Sequence, residues 1–291
     1  MKSKSSELET IEVPAWSLGQ VNARVPLNAY FRQIWHRRHF IIAESRAKVI
    51  GGNQRNYLGI AWMVIQPILN ALAFFVIFGV ILQTSRGIEN FLGYLLIGVF
   101  FFGFTTRVMT TCAGSVKANQ AMIKAFTFPR ASIPISVVVR EIMNFVPSVV
   151  VMMLMILALP PSENLTWRVI YIIPAFVLQV MFSLGIGFAA ARLCHIIPDL
   201  VHFISILTRF WLYASGVFFS IDRFVTHEVM SAVMKANPMY GYLMLIRNSV
   251  LYGVDTPLWM WLNCAGWALL LFVFGFLFFY QGESTYGLTR D

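Results

Sequence analysis

Four charged side chains fall inside long apolar stretches: Arg107, Arg140, Glu141 and Arg209. A charge at the centre of a bilayer costs on the order of 3 kcal/mol on insertion scales, so each should pair or face water. Arg107 lies near the inner end of one stretch and Glu141 at comparable depth in the next, antiparallel one. An Arg107–Glu141 ion pair is therefore expected. Arg140 precedes Glu141 by one residue, which on a helix sets the two about 100° apart and argues against direct pairing. Arg209 has no acidic residue in its own stretch, which leaves water, a carbonyl or an anionic ligand.

The other reactive side chains point away from catalysis. Cys112, Cys194 and Cys264 are far apart, with no C-x-x-C pair and no disulfide framework. Of the five histidines (His36, His39, His195, His202 and His227), three flank apolar stretches and read as interfacial. There is no G-x-x-x-x-G-K-[ST], no H-E-x-x-H and no G-x-S-x-G. Any ATP hydrolysis must then belong to another chain, and no catalytic residue, metal site or cofactor is expected on this one.

Composition supplies the setting for these residues. Of 291 residues, 58% are hydrophobic and 12% charged, against roughly 25% charged in soluble domains. An all-α integral membrane protein follows. Six segments are long enough to cross as helices: Leu58–Leu82, Phe91–Cys112, Ile133–Leu159, Val169–Cys194, Leu200–Ser220 and Leu258–Tyr280. The short alternating strands of a β-barrel are absent from the pattern. An even number of spans puts both termini on one side. Lys2, Lys4, Arg24, Arg32, Arg37, Arg38, Arg46, Lys48, Arg55, Lys117, Lys124, Arg130, Arg192 and Arg290 fall on that side. Arg86, Arg168, Arg223, Lys235 and Arg247 fall on the other, so fourteen against five makes the termini cytoplasmic. The net charge of +9 is then matched to anionic membrane lipid rather than to nucleic acid.

The chain divides into a polar tail (1–26) without signal-peptide pattern, an amphipathic helix and linker (27–57), a six-span domain (58–283) and a short cytoplasmic tail (284–291). In Leu27–Ile50, residues Leu27, Tyr30, Phe31, Ile34, Trp35, Ile41, Ile42 and Val49 share one stripe. Such a basic amphipathic helix lies in the membrane interface. The loop Lys117–Arg130 can hold two turns of helix over Ala118–Phe126, ended by Pro129. It is either a docking knob or an extension of the second span. The segment Ile221–Pro257, broken at Asn237-Pro238, predicts two re-entrant or interfacial helices on the outer face.

In order along the chain, Tyr57-Leu58-Gly59, Trp62, Gln66-Pro67, Gly93-Tyr94-Leu95, Gly98, Phe128-Pro129-Arg130, Pro134, Pro198-Asp199, Asn237-Pro238-Met239, Arg247 and Gly282-Glu283 make the sequence resemble the ABC-2-type permeases of lipid-linked polysaccharide exporters. These serve O-antigen, capsule, teichoic acid or galactan. The family's Arg-Asp pair before the fifth span is replaced by His195-Ile196-Ile197-Pro198-Asp199. The resemblance implies two copies of this chain forming a pathway, with two copies of a separate ATPase supplying ATP and Mg. It implies a glycan on polyprenyl diphosphate as cargo. It makes Leu27–Ile50 the interface helix, with Tyr30, Phe31, Trp35, Arg37 and Arg38, and Ala118–Phe126 the coupling helix, with Ala118, Asn119, Met122, Ile123 and Phe126.

A glycan cargo needs surfaces that hold sugar rings without fixing them, which aromatic faces provide. Trp62, Phe74, Phe75 and Phe78 in the first span, and Phe203, Phe210, Trp211, Tyr213, Phe218 and Phe219 in the fifth, are candidates. Arg209 beside them is placed to meet the diphosphate. A small-solute or drug ABC-2 exporter shares this architecture. A polyprenol-handling enzyme would want paired carboxylates, whereas Asp199, Asp222, Glu228 and Asp255 stand alone.

Overall fold

The computed structural model describes residues 26–54, 61–81, 88, 90–158, 166–221 and 227–287. Every regular element among them is helical. In chain order these are α1 (Leu27–His36), α2 (Arg38–Gln54), α3 (Trp62–Phe74), α4 (Phe91–Ala118), α5 (Gln120–Ala125), α6 (Ser132–Ala158), α7 (Ile172–Ile196), α8 (Leu200–Ala214), α9 (Glu228–Ala236), α10 (Pro238–Arg247) and α11 (Leu258–Gln281). Wider turns, Phe75–Ile81 and Asn248–Tyr252, prolong α3 and α10, and a tight turn, Trp167–Tyr171, leads into α7.

Four helices are long and apolar enough to cross a bilayer: α4, α6, α7 with its leading turn, and α11. α4 is the central one. Of its most apolar window 72% is buried, against 28% in each of the other three. The first span expected from the sequence, Leu58–Leu82, is described as α3 and its wider turn. Tyr57, Leu58 and Gly59 lie outside the described residues.

Close approach is what the sequence provides at the crossings. α7 meets α11 where Gly185 faces Gly275. A Cβ on Gly275 would strike the Gly185 backbone, and a Cβ on Gly185 would strike the backbone of Leu271. Lipid tails are as apolar as leucine, so helices in a bilayer associate through such small-residue packing and polar contacts. The α4–α7 contact uses the second device. Gln179 Nε2 donates to the Phe101 carbonyl (2.7 Å) and to Thr105 Oγ1 (2.9 Å), and Thr105 Oγ1 lies 2.9 Å from Ser183 Oγ.

Two expectations change. The interface helix is not continuous: α1 and α2 meet at Arg37, the hinge residue between them. The fifth span is shorter than Leu200–Ser220. α8 has 15 residues and ends at Ala214, about 22 Å long, short of the roughly 30 Å hydrocarbon core. Gly216, at φ +61°, takes the left-handed conformation that closes helices and that glycine adopts without penalty. The outer segment holds α9, with exposed Val229, Met230 and Val233, and α10, whose Met239, Tyr242, Leu243, Leu245 and Ile246 are buried.

Candidate functional site

The early end of α8 leaves carbonyls to be satisfied, and two side chains from the α9–α10 region do it. Asn237 caps α10 through Oδ1, which accepts from Met239 N (3.1 Å) and from Trp211 Nε1 (3.0 Å). Its Nδ2 donates to the Ala214 carbonyl (3.2 Å) and Ser215 Oγ (2.9 Å). Arg247, at the other end of α10, is fully buried. It donates to the carbonyls of Gly216 (3.1 Å), Tyr94 (3.1 Å) and Val217 (3.3 Å), with its guanidinium carbon 3.3 Å from the Tyr94 ring centre. Gly98 makes room: a Cβ there would meet Arg247 Nη2 at 2.8 Å. The motif residues Tyr94, Gly98, Asn237, Pro238 and Arg247 thus form one knot that holds the α8 terminus against α4.

Below this knot α8 is open. Phe203, Phe210 and Tyr213 are 57%, 69% and 54% exposed, and Arg209 is exposed beside them. Of the other expected pathway residues, Trp62 is exposed at the start of α3. The side chains of Phe74, Phe75 and Phe78 fall outside those described. Trp211 points the other way, its ring 5.4 Å from Phe102 and 6.4 Å from Phe182, and its indole nitrogen held by Asn237. It anchors α8 rather than lining the face. Phe218 is buried and Phe219 half-buried. Between the upper half of α8 and α9 runs a groove of about 450 Å³ that includes Phe210, Tyr213, Met230, Val233 and Met234.

Two of the three arginines within the apolar stretches meet at one carboxylate. Arg107 Nε lies 3.6 Å from Glu141 Oε2, and Arg140 reaches Glu141 Oε1 at 3.3 Å. The Arg140 contact departs from the sequence expectation, since a side chain of arginine length curls back over the 100° between neighbours. Arg209 has no hydrogen bond or ion pair among the described residues. No group of three His, Cys, Asp or Glu side chains that could hold a metal occurs among the described residues either.

At the opposite end of the bundle the chain is stitched rather than open. Tyr30 is buried; its hydroxyl donates to Glu283 Oε2 (2.7 Å) and accepts from Ala131 N (3.0 Å). Arg130 N donates to Glu283 Oε1 (2.9 Å), and the Arg130 guanidinium donates to the Glu283 carbonyl. Burial raises the Glu283 carboxyl above its ordinary value, against the pull of the Arg130 and Tyr30 bonds. Burial also raises the Tyr30 phenol. Arg37 donates to the Thr127 carbonyl (3.1 Å) and lies over Phe128, Ser45 Oγ donates to the Ser136 carbonyl (2.9 Å), and Lys48 donates to Asn119 Oδ1 (3.4 Å). Three of these ties strap α1–α2 to the segment around α5, and the fourth, Ser45 to Ser136, fastens α2 to α6. Phe31 is half exposed and stacks on Phe276. Arg38 folds over the ring of the exposed Trp35.

The expected coupling helix Ala118–Phe126 shrinks to α5, Gln120–Ala125. Ala118 ends α4, and Asn119 donates back to the Ser115 carbonyl (2.8 Å). Ile123 is buried and Met122 packs on the core, while Phe126 is 66% exposed in extended backbone three residues before Pro129. Only part of the expected docking set therefore faces outward.

Residues 52–251 match the family model described as ABC-2 type transporter, a stretch that runs from the end of α2 through α10. The chain belongs to that family. An ABC-2 chain is a transport permease, not an enzyme. Among curated relatives, the O-antigen export system permease protein RfbA of Myxococcus xanthus is 23% identical over 226 residues, covering 78% of this chain and 85% of the relative. Two proteins of the same name from Klebsiella pneumoniae are each 27% identical over 199 residues, 67% of this chain and 74% of theirs. The knot residues of this ABC-2 permease were visible in the sequence only as an ordered set of motifs. Tyr30, Phe128-Pro129-Arg130 and Gly282-Glu283 were each singled out in the sequence, but not their junction, because its partners are about 100 to 250 residues apart.

Proposed function

We propose that this ABC-2 chain is the transmembrane subunit of an exporter that moves a polyprenyl-diphosphate-linked polysaccharide across the cytoplasmic membrane. Two copies form the pathway, and two copies of a separate ATPase, carrying ATP and Mg, drive it from the cytoplasm. Both termini are cytoplasmic, which puts α1, α2 and α5 on the ATPase side and the Asn237–Arg247 knot outside. The relatives' names support an O-antigen-like cargo. The observation that carries the reading is α8: a helix with none of its residues buried, presenting Phe203, Phe210 and Tyr213, suits sliding contact with sugar rings. Phe126, exposed beyond α5, is the contact offered to the ATPase.

Inverted vesicles containing the chain and its cognate ATPase should take up lipid-linked glycan when ATP is added, and vesicles with either subunit alone should not. Movement of a cationic drug without movement of glycan would instead support the small-solute exporter. Phe126→Asp should abolish co-purification of the ATPase while leaving the chain inserted and folded. Undiminished co-purification would remove α5 and its exposed edge from the docking surface.

A further inference from the structure

Between α4, α8 and Phe218 just beyond it lies a cleft of about 200 Å³ that includes Phe102, Gly103, Thr106, Thr208 and Arg209. That is smaller than the roughly 300–1,000 Å³ of sites that enclose drug-sized ligands. It admits a headgroup, not a glycan chain. Arg209 lines the cleft and makes no hydrogen bond or ion pair among the described residues. Arg107 stands beside the cleft on α4: Nε faces Glu141, and Nη1 lies near the lining residue Gly103, where a Cβ would meet it at 3.2 Å.

The local charge does not balance. Glu141 supplies one negative charge against Arg107 and Arg140, and Arg209 adds a further positive one. An excess of positive charge within the membrane-crossing helices calls for an anion. The hydroxyls sharpen the choice of ligand. Thr106 Oγ1 donates to the Gly103 carbonyl (3.1 Å) and Thr208 Oγ1 to the Ser205 carbonyl (2.9 Å). Their protons are committed within their own helices, so the donors left for a ligand are guanidinium N–H groups. Two such forks select a phosphate-type oxyanion, which they can bind bidentately. The apolar walls, with Phe102 and Phe218 among them, and the depth within the membrane select an anion carried on a lipid chain rather than one free in water.

We propose that the α4–α8 cleft binds the phosphate or diphosphate headgroup of a membrane-borne ligand, with Arg209 as the principal donor and Arg107 as the second. The identification of that ligand with the exported cargo rests on the function proposed above. The headgroup pauses here at mid-span while the glycan lies along the α8 face. Gly103 is the position that keeps the cleft open.

The test uses the full-length chain with its ATPase in phosphatidylcholine nanodiscs and three probes: farnesyl diphosphate, inorganic diphosphate and farnesol. Farnesyl diphosphate should bind saturably, and Arg209→Gln should weaken it about tenfold, the loss expected for one charge-assisted hydrogen-bonding group. Arg209→Lys should weaken it less. Gly103→Val keeps both charges but fills the cleft, and should abolish binding. Because Gly103→Val can also disturb α4, the exposed Arg209 variants decide if that chain misfolds. Equal affinity for inorganic diphosphate would overturn the lipid-borne assignment, and equal competition by farnesol would overturn the anion site. If the wild-type complex binds as described but moves no glycan, the cargo reading fails and the site stands. If it moves glycan and Arg209→Gln alters neither binding nor transport, the site fails and the cargo reading stands.

Discussion

Eighteen of the 28 residues of α4 are buried, and none of the 15 of α8, although both helices are strongly apolar. Hydrophobicity therefore does not distinguish the buried helix from the open one in this bundle. Small and polar residues do. α4 carries Gly93, Gly98, Gly103, Thr105 and Ser115 among its apolar side chains, so neighbours approach closely and hydrogen-bond to it. α8 carries large aromatics and a lone arginine on its open face; on its other side Trp211 and Leu212 touch the main core, Leu200, Val201 and Ile204 pack against Met109, Ala113, Ala190 and Cys194, and the C-terminus is capped. Two knots at opposite ends, Asn237–Arg247 and Tyr30–Glu283–Arg130, tie the stitched part together and leave one face of α8 open.

The scaffold side of this contrast breaks most severely at the α7–α11 crossing. Gly275→Ala places a Cβ against the Gly185 backbone, which has no flexible end to yield. We expect a loss of about 3 kcal/mol, at the upper end of ordinary overpacking, seen as a lowered unfolding midpoint of the detergent-solubilised chain. An unchanged midpoint would mean that the two helices do not meet through these glycines.

Arg247 comes next. Arg247→Gln leaves the carbonyls of Gly216, Tyr94 and Val217 short of donors in a dry site, at a cost of about 2 kcal/mol. Arg247→Lys should restore only part of it, since an ammonium cannot span all three as a fork does. Proteolysis or hydrogen exchange should place the loosening at the end of α8 and spare the Tyr30 junction. Uniform loosening of the whole chain would contradict a local knot.

The smallest effect belongs to the exposed pair of Arg168 and Asp255, a bidentate contact at 2.6–2.7 Å. The hydrogen bond from Arg168 lowers the Asp255 carboxyl below its ordinary value. Its contribution is therefore present above the ordinary carboxylate range and lost as pH falls through the lowered value. Asp255→Asn should shift melting barely at neutral pH, and the wild type and variant should converge in strong acid. A large neutral-pH difference would show this pair to be part of the scaffold.

The sequence revealed the parts that depend on local pattern. The helices Phe91–Ala118 and Leu258–Gln281 enclose their expected spans, and Ser132–Ala158 matches Ile133–Leu159 to within a residue at each end, because long apolar runs leave the backbone no other way to bond in lipid. The Arg107–Glu141 contact was legible because the two lie at matching depth on antiparallel helices, while the Arg140 contact to the same carboxylate was not. What escaped were features set by contacts distant in sequence. The stop of α8 depends on Gly216 together with Asn237 and Arg247, so the apolar run to Ser220 reads on as helix. The inward turn of Trp211 depends on the same asparagine. Leu27–Ile50 carries a helical stripe, yet Ile41 and Ser45 are buried against α6 instead of facing lipid. Periodicity shows that a face is apolar, not what covers it.

The central claim is that the open α8 face, rather than the other exposed apolar surfaces, carries the cargo. Photo-reactive side chains placed at Phe210 and Tyr213, and at the equally exposed Ile173 of α7 and Leu269 of α11, put it to direct test in vesicles transporting labelled lipid-linked glycan. ATP-dependent cross-links to the sugar at Phe210 and Tyr213, with none at Ile173 or Leu269, are the predicted result. Sugar cross-links at Ile173 or Leu269 and none along α8 would contradict the account.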